Sequence, residues 1–335
     1  MGLLEYVGGA PVVALLGMCK NAGKTTALNV LIREYAAAGK TIGMTSIGRD
    51  GESRDLVTDT YKPPIYMYEG MLAATAEQLL PFCDVSRELL DLPALYTSLG
   101  RIVLFRARSD GFVQLAGPAI VEQLSALRRS FAAFGAECVL IDGALSRRSP
   151  AAGATDGCCI LSTGASLDMD LDRVVEETAF VARLLTLPEE KPRVPAQPEA
   201  RFTLLRGMEP AGETAGNVSE MNALLKRGVG DGVYLSGALT EAQARELLRG
   251  GAKLEGLTLI AGDGSRWLLK RETFDRLEAM GARFAVCTGS RLAAITVNPV
   301  SARGWQFDGG EFLEKMRAAS PVPVVNVGRY HGTEL

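Results

Sequence analysis

Near its start the chain reads Val12-Val13-Ala14-Leu15-Leu16-Gly17-Met18-Cys19-Lys20-Asn21-Ala22-Gly23-Lys24-Thr25-Thr26. The apolar run over residues 12–16 predicts a buried strand. The residues from Thr25 to Tyr35 predict an amphipathic helix, because apolar side chains recur along one helical face. A strand, a tight loop ending in Gly-Lys-Thr and a helix together form the context of a phosphate-binding loop. The sequence therefore predicts an α/β fold whose first domain binds a nucleotide.

Each residue type in this loop suits the binding of phosphate. Backbone N–H groups that point into the loop would bind a phosphate, and the N-terminus of the helix adds a partial positive charge. We expect Lys24 to reach the β- and γ-phosphates and the Thr25 hydroxyl to ligate Mg²⁺. The residues expected to contact the nucleotide are Lys20, Asn21, Ala22, Gly23, Lys24, Thr25 and Thr26.

The loop departs from the usual pattern of Gly, four residues and then Gly-Lys-Thr. Met18 stands where the first glycine is expected, and Gly17 comes one place early. The alternative interpretation is a helix N-terminus that carries an incidental lysine, but the flanking strand and helix favour the nucleotide site. The sequence contains no Asn-Lys-x-Asp motif for guanine, which favours ATP over GTP.

A second carboxylate for Mg²⁺ is expected at the end of another buried strand. Four apolar residues precede an aspartate and a glycine in Cys138-Val139-Leu140-Ile141-Asp142-Gly143. Such a strand would deliver Asp142 to the carboxyl edge of a parallel sheet, where ligands bind. We expect Asp142 to hold the magnesium ion and to act in catalysis together with Lys24. The alternative is an ordinary aspartate in the turn after a strand.

The second predicted strand, residues 41–47, leads into a charged segment, Gly48-Arg49-Asp50-Gly51-Glu52. Chain direction places this segment at the same edge of the sheet. Asp50 is a candidate catalytic residue that orients the attacking water, and Arg49 could neutralise phosphate charge. A solvated loop is the alternative. Ser162-Thr163-Gly164, after a later strand, could contact the base or a substrate.

The composition narrows the classes of function. The chain has 335 residues, a net charge of −3 and a pI near 5.5, so it offers no basic stripe for a nucleic acid. No apolar run approaches about 18 residues and the N-terminus lacks the basic start of a signal peptide, so we expect no membrane segment and a cytoplasmic location. Six scattered cysteines and the single His331 provide little material for zinc sites or His-dependent nucleophilic catalysis.

A chain of this length is expected to form two domains. Four prolines predict a semi-rigid linker over residues 188–200. We predict a P-loop nucleotide-binding domain with a mostly parallel sheet over residues 1–187. A second, smaller α/β domain over residues 201–335 would bind a partner or substrate. Within the first domain, short helices are predicted at Met71–Leu80 and Val85–Leu92.

Residues 12–185 resemble the P-loop enzymes of the dethiobiotin-synthetase and MinD class. In that class a strand, a loop, a helix and a second strand with acidic residues follow in this order. The loop of that class carries an additional lysine near its start. Lys20 is the corresponding lysine here, although it lies one place later than the resemblance requires.

Two blocks, residues 17–26 and 45–52, resemble the P-loop subunit of the lysine 5,6-aminomutase reactivases of bacterial lysine fermentation. The resemblance implies an ATP-binding and ATP-hydrolysing subunit of a repair factor. Its partners would be a MutS-like ATPase subunit and an adenosylcobalamin-dependent aminomutase, from which damaged cobalamin is released. No Asp-x-His-x-x-Gly motif for cobalamin occurs in this chain, as the resemblance implies for a factor that acts on another protein.

Three functions are open at this point. The first is an ATPase that acts on a protein partner. The second is a small-molecule ligase or kinase of the dethiobiotin-synthetase type, in which Arg49, Lys62 and the residues after Ser162 bind an acid substrate. The third is a nucleotide-binding regulator with little turnover. Protein-stimulated hydrolysis distinguishes the first from the second, which hydrolyses little ATP until its small substrate is present.

Overall fold

The computed structural model describes residues 2–50, 64–118, 120–143, 157–195 and 200–327, with the backbone alone for residues 48–50 and 121. The strands of the first 170 residues are β1 (Val12–Gly17), β2 (Ile42–Ser46), β3 (Gly48–Asp50), β4 (Ile65–Met67), β5 (Leu72–Ala76), β6 (Arg87–Asp91), β7 (Tyr96–Thr97), β8 (Gly100–Ala107), β9 (Gly111–Val113), β10 (Leu115–Gly117), β11 (Cys138–Asp142) and β12 (Cys158–Gly164). The later strands are β13 (Phe202–Arg206), β14 (Glu209–Ala215), β15 (Gly232–Leu235), β16 (Leu239–Thr240), β17 (Thr258–Ala261), β18 (Trp267–Leu268), β19 (Arg283–Val286), β20 (Leu292–Asn298) and β21 (Val324–Asn326).

The helices are α1 (Leu3–Val7), α2 (Lys24–Ala37), α3 (Val121–Ala133), α4 (Leu171–Leu185), α5 (Val218–Lys226), α6 (Glu241–Arg249), α7 (Arg271–Ala279) and α8 (Gly309–Ala319), and short 3-10 helices occupy Glu77–Phe82 and Gly264–Arg266. In the part of the chain that the structure describes, no helix is long and apolar enough to cross a membrane. The chain forms two compact units. Unit 1 comprises Met1–Ala182 and Arg291–Leu335, and unit 2 comprises Arg183–Ser290.

Strand β1 and helix α2 confirm the pattern around the Gly-Lys-Thr loop. Strand β1 is buried along its whole length, as expected of a strand whose sheet is covered on both faces. The apolar residues that α2 buries include Leu28, Leu31, Ile32 and Tyr35. Beyond the helix, Gly39 adopts a left-handed conformation with φ 67° and donates its N–H to the Ala36 carbonyl. The predicted strand and helix are thus held by the core of unit 1.

The described residues of unit 1 form a ten-stranded mixed sheet in the order β21-β20-β12-β1-β11-β2-β5-β8-β6, with β7 paired to β8. Neighbouring strands from β21 to β5 are parallel, and β5, β8 and β6 continue the sheet with antiparallel pairing. Strand β1 lies between β12 and β11, so the carboxyl ends of these three strands meet at one edge. This topology confirms the predicted α/β class and the mostly parallel sheet.

Unit 2 has its own five-stranded sheet in the order β14-β13-β15-β17-β19. Strands β15, β17 and β19 are parallel, and β13 and β14 are antiparallel additions. Its core includes Phe284, which stacks on Phe274 at 4.0 Å between ring centroids and meets Trp267 edge-on at 4.9 Å. Helix α6 begins with a reciprocal cap between Thr240 and Gln243. Unit 2 therefore has an α/β core of its own.

The structure corrects the predicted domain bounds. The expected second domain, residues 201–335, is divided, because β20 pairs in parallel with β12 and β21 pairs with β20 in the sheet of unit 1. The expected linker also differs over residues 188–193. The Val286 N–H donates to the Pro188 carbonyl at 2.9 Å, and the Glu190 N–H donates to the Val286 carbonyl at 2.8 Å. Residues 188–190 therefore run beside β19, and the Arg193 N–H donates to the Met208 carbonyl, so the segment belongs to unit 2.

The two short helices predicted before residue 100 are also wrong. The segment Met71–Leu80 contains strand β5, followed by a 3-10 helix. The segment Val85–Leu92 contains strand β6 at the edge of the large sheet. All five residues of β5, Leu-Ala-Ala-Thr-Ala, are buried, so packing against β2 and β8 overrides the helical preference of alanine.

Candidate functional site

The loop of residues 18–23, named here the 18–23 loop, joins β1 to α2 at the carboxyl edge of the large sheet. The Met18 N–H donates to the Ser162 carbonyl at 2.9 Å, which fixes the start of the loop to the end of β12. Two residues adopt left-handed conformations, Asn21 with φ 60° and Gly23 with φ 95°. Asparagine and glycine are the residue types that accept this conformation most readily. The loop conformation therefore follows from its own sequence.

Lys24 is the first residue of α2, and its side chain turns back over the end of β1. A Cβ atom on Gly17 would lie 2.8 Å from both Cγ and Cδ of Lys24. Only a glycine at position 17 leaves room for the lysine stem. The glycine that comes one place early in the sequence is thus required by the path of Lys24.

The Lys24 side chain ends at Asp142, the last residue of β11. Lys24 Nζ lies 3.2 Å from Asp142 Oδ1. Asp142 is only 1% exposed, and among the described residues its Oδ2 has no hydrogen-bond partner. A buried carboxylate is costly unless it is paired, so Lys24 stabilises its charge while one oxygen still lacks a ligand. The structure therefore brings Lys24 and Asp142, which lie far apart in the sequence, into direct contact.

The other expected contact residues lie around this pair. Thr25 and Thr26 are buried in the first turn of α2, and Ala22 is buried in the loop. Lys20 is exposed on the loop. Burial raises the pKa of the Cys19 thiol to about 11, although the nearby Arg303 guanidinium opposes this shift. The loop therefore contains a neutral thiol at neutral pH.

For Asp50, the expected catalytic residue, the structure describes the position of the backbone but not of the side chain. It lies in β3, which pairs antiparallel with β10 so that Asp50 stands opposite Leu115. The Ile47 N–H, just before β3, donates to the Asp142 carbonyl at 2.8 Å. The segment thus leaves the sheet beside the end of β11. The side chains of Arg49 and Asp50, and all of Lys62, lie outside the described residues.

Asn298, the last residue of β20, is not among the site residues that the sequence predicts. Its Nδ2 donates to the Asn21 carbonyl of the 18–23 loop at 3.5 Å. A nearby hydroxyl pair, Thr296 with Ser162, joins β20 to β12 at 2.8 Å. The sequence does contain a sign of this residue, because β20 is an apolar strand that ends in a polar residue, the same pattern that predicts Asp142. The predicted domain bounds, however, place β20 in a different domain from the 18–23 loop.

The site combines a lysine, a half-satisfied buried carboxylate and a helix N-terminus at the edge where three parallel strands end. Such a combination can bind an anion together with a divalent cation. Among the described residues no three His, Cys, Asp or Glu side chains form a metal cluster. Magnesium, however, is commonly held by one or two protein groups and by phosphate oxygens. Comparison with protein-family models, curated proteins and solved structures finds no match for this chain.

Proposed function

We propose that unit 1 is a P-loop NTPase domain that binds ATP with Mg²⁺ on the 18–23 loop and hydrolyses it. The observation that carries this proposal is the approach of Lys24 and Asp142 to 3.2 Å at the ends of β1 and β11. The two residues are 118 positions apart, and each suits one part of a nucleotide site. Lys24 would neutralise the β- and γ-phosphates, and the N–H groups of the loop would bind the same anion.

The donor set fits a magnesium ion. Asp142 offers a buried carboxylate oxygen without a hydrogen-bond partner in the described residues, and Thr25 stands in the first turn of α2. These two residues would hold the ion, which when bound neutralises phosphate charge. Asp50, which follows β2 at the same edge, would accept a hydrogen bond from the attacking water and orient it.

Within the organism, we propose that this ATPase acts on proteins. The support is the resemblance of residues 17–26 and 45–52 to the reactivase P-loop subunit. The partners would then be a MutS-like ATPase subunit and an adenosylcobalamin-dependent aminomutase. Slow basal hydrolysis that these proteins accelerate is the expected result. Hydrolysis that responds only to a small carboxylic acid would contradict this role and favour the ligase or kinase.

The nucleotide site is tested by replacing Lys24 with alanine. A charge-assisted phosphate contact contributes about 1.5–3 kcal/mol, so Lys24→Ala should weaken ATP binding at least about tenfold. The measurement is a titration with a fluorescent ATP analogue. Lys40→Ala is the matched control, since Lys40 pairs with Glu137 on the surface at 3.8 Å and should bind like wild type. Equal affinities of the two variants would overturn the assignment.

A further inference from the structure

Asn298 lies between the 18–23 loop and the end of β12. Its backbone carbonyl accepts the Ala165 N–H at 3.0 Å, which fixes its main chain to the segment after β12. A Cβ atom on Gly23 would lie 3.0 Å from Asn298 Cβ, and one on Gly164 would lie 2.7 Å from the Asn298 carbonyl oxygen. The two glycines therefore allow Asn298 to approach the loop closely.

The amide group of Asn298 is oriented by its own neighbour. The Val300 N–H donates to Asn298 Oδ1 at 3.2 Å. This bond turns Nδ2 toward the loop, where it donates to the Asn21 carbonyl at 3.5 Å. Asn21 is the non-glycine residue of the loop that adopts a positive φ, a conformation that costs energy unless its surroundings hold it. Asn298 supplies one such restraint.

The consequence for the loop follows from peptide geometry. A peptide group is planar and trans, so its C=O and N–H point in opposite directions. When Asn298 holds the Asn21 carbonyl, the N–H of the next residue, Ala22, is turned to the opposite side. A phosphate-binding loop requires inward N–H groups that are fixed before the anion arrives.

We propose that Asn298 is a positioning residue for the 18–23 loop, which fixes the Asn21–Ala22 peptide in the orientation that binds phosphate. The proposal rests on the proposed ATP-binding function of unit 1. Strand β20 carries Asn298 to the loop from a position 277 residues beyond Asn21.

The test compares two substitutions of the same residue. Asn298→Ala removes the hydrogen bond and should weaken ATP binding about three- to tenfold. Asn298→Asp keeps the size of the side chain and its acceptor for Val300, but places a charged oxygen against the Asn21 carbonyl. It should weaken ATP binding more than tenfold. Because the added charge also repels ATP directly, the neutral variant decides: Asn298→Ala that binds ATP like wild type overturns the proposal.

A second route moves Asn298 without changing it. A Cβ atom on Gly164 would lie 2.7 Å from the Asn298 carbonyl oxygen and 3.4 Å from the Ala22 carbonyl oxygen, so Gly164→Ala presses mainly on Asn298 and should weaken ATP binding in the same direction. Gly262→Ala, at the end of β17 with no atom within 4 Å of the added Cβ, is the matched control and should bind like wild type. Equal ATP affinities of these two variants would count against the proposal.

Stability and function are separated by two further measurements. Without nucleotide, Asn298→Ala should unfold at a midpoint close to that of wild type, since the residue is only half-buried. Asn222→Ala, which removes an amide contact of the same 3.5 Å length in unit 2, should bind ATP like wild type. Equal loss of ATP affinity in both variants would overturn the positioning role. One result would separate the two proposals. If Lys24→Ala loses ATP binding while Asn298→Asp binds ATP like wild type, the nucleotide site is supported and the positioning role is overturned.

Discussion

At the scale of single residues, the pair of Lys24 and Asp142 dominates the site. The Asp142 side chain is fully buried and that of Lys24 is 18% exposed, so the pair is shielded from solvent. Removing one partner of a buried ion pair is costly because it leaves an uncompensated charge. In the proposed function both residues exchange this contact for a ligand, Lys24 for phosphate and Asp142 for the metal.

Replacing Asp142 with asparagine should separate binding from hydrolysis. Asn keeps the shape but removes the negative charge that would hold Mg²⁺ in the proposed site. Metal catalysis contributes several kcal/mol, so Mg²⁺-dependent turnover should fall about a hundredfold or more. ATP affinity should change less, because Lys24 and the loop remain. Steady-state ATPase assays measure the effect. Asp172→Asn, an exposed aspartate paired with Lys315, is the control, and equal turnover in both variants would reduce Asp142 to a strand end.

The buried thiols predict how stability depends on pH. Burial raises the pKa of Cys138 and Cys158 to about 11 and that of Cys159 to about 12, from an ordinary value of 9.0. The unfolded thiols ionise first, so the folded state holds more protons between pH 9 and 11. The free energy of unfolding should therefore fall as pH rises through this range.

Urea unfolding under reducing conditions at pH 8 and pH 10.5 measures this loss. Cys138→Ala removes one of the buried thiols, so its free energy of unfolding should decline less steeply over the same interval. A wild-type stability that is constant between the two pH values would show that the thiols ionise equally in both states.

At the scale of elements, edge strands differ most from what the sequence predicts. Strand β6 has three exposed residues, Arg87 to Leu89, and pairs with β8 through a bulge between Leu89 and Asp91. The sequence of β6 lacks a regular alternation of apolar and polar residues, so it is as typical of an exposed helix as of a strand. Residues 188–190 pair with β19 although Pro188 has no N–H group. A proline is accepted there because the segment lies at the edge of the sheet, where the Pro188 nitrogen needs no hydrogen-bond partner.

The pairing beside β19 predicts where proteases do not cut. The Glu190 N–H is hydrogen bonded to Val286, and the Arg193 N–H donates to the Met208 carbonyl at 2.8 Å. Backbone that is held in this way resists cleavage, since a protease needs an extended, mobile segment. Limited proteolysis followed by mass spectrometry should show no early cut between residues 188 and 193. A first cut in this range would show that the segment is a free linker.

At the scale of the whole molecule, unit 2 is an insertion between α4 and β20. The chain enters unit 2 at Arg183 and leaves it at Ser290. The Ser290 N–H donates to the Leu185 carbonyl at 3.4 Å, so the two ends of the insertion are adjacent. Insertions whose ends are close are those that a domain tolerates best.

Two deletions test this topology. Replacing residues 187–288 with a short Gly-Ser linker keeps β20 and β21. The product should fold and bind ATP with an affinity close to that of wild type, because Lys24, Asp142 and Asn298 all belong to unit 1. Ending the chain at residue 187 instead removes both strands and exposes the buried edge of β12. That fragment should be insoluble or bind ATP weakly. Circular dichroism and the fluorescent ATP titration measure both outcomes, and the opposite ranking would contradict the discontinuous unit 1.

The amino-acid sequence is enough to predict the strand, loop and helix around Lys24 and the end of the strand at Asp142. These features depend on neighbouring residues: a run of apolar side chains, a helical period, and Asn21 and Gly23 where the loop needs positive φ. Local chemistry therefore predicts them. The class of the fold follows in the same way, since apolar strands that alternate with helices favour a parallel sheet.

Which sheet each strand joins is known only from the folded structure. The apolar pattern of β20 shows that it is buried, but the same pattern would suit either sheet, and the partner β12 lies more than a hundred positions earlier. For the same reason the sequence could not place Asn298 on the 18–23 loop. It predicted Lys24 and Asp142 in one site, but not their direct contact at 3.2 Å. Parallel pairing joins segments that are far apart in the chain, and a local pattern contains no record of its partner.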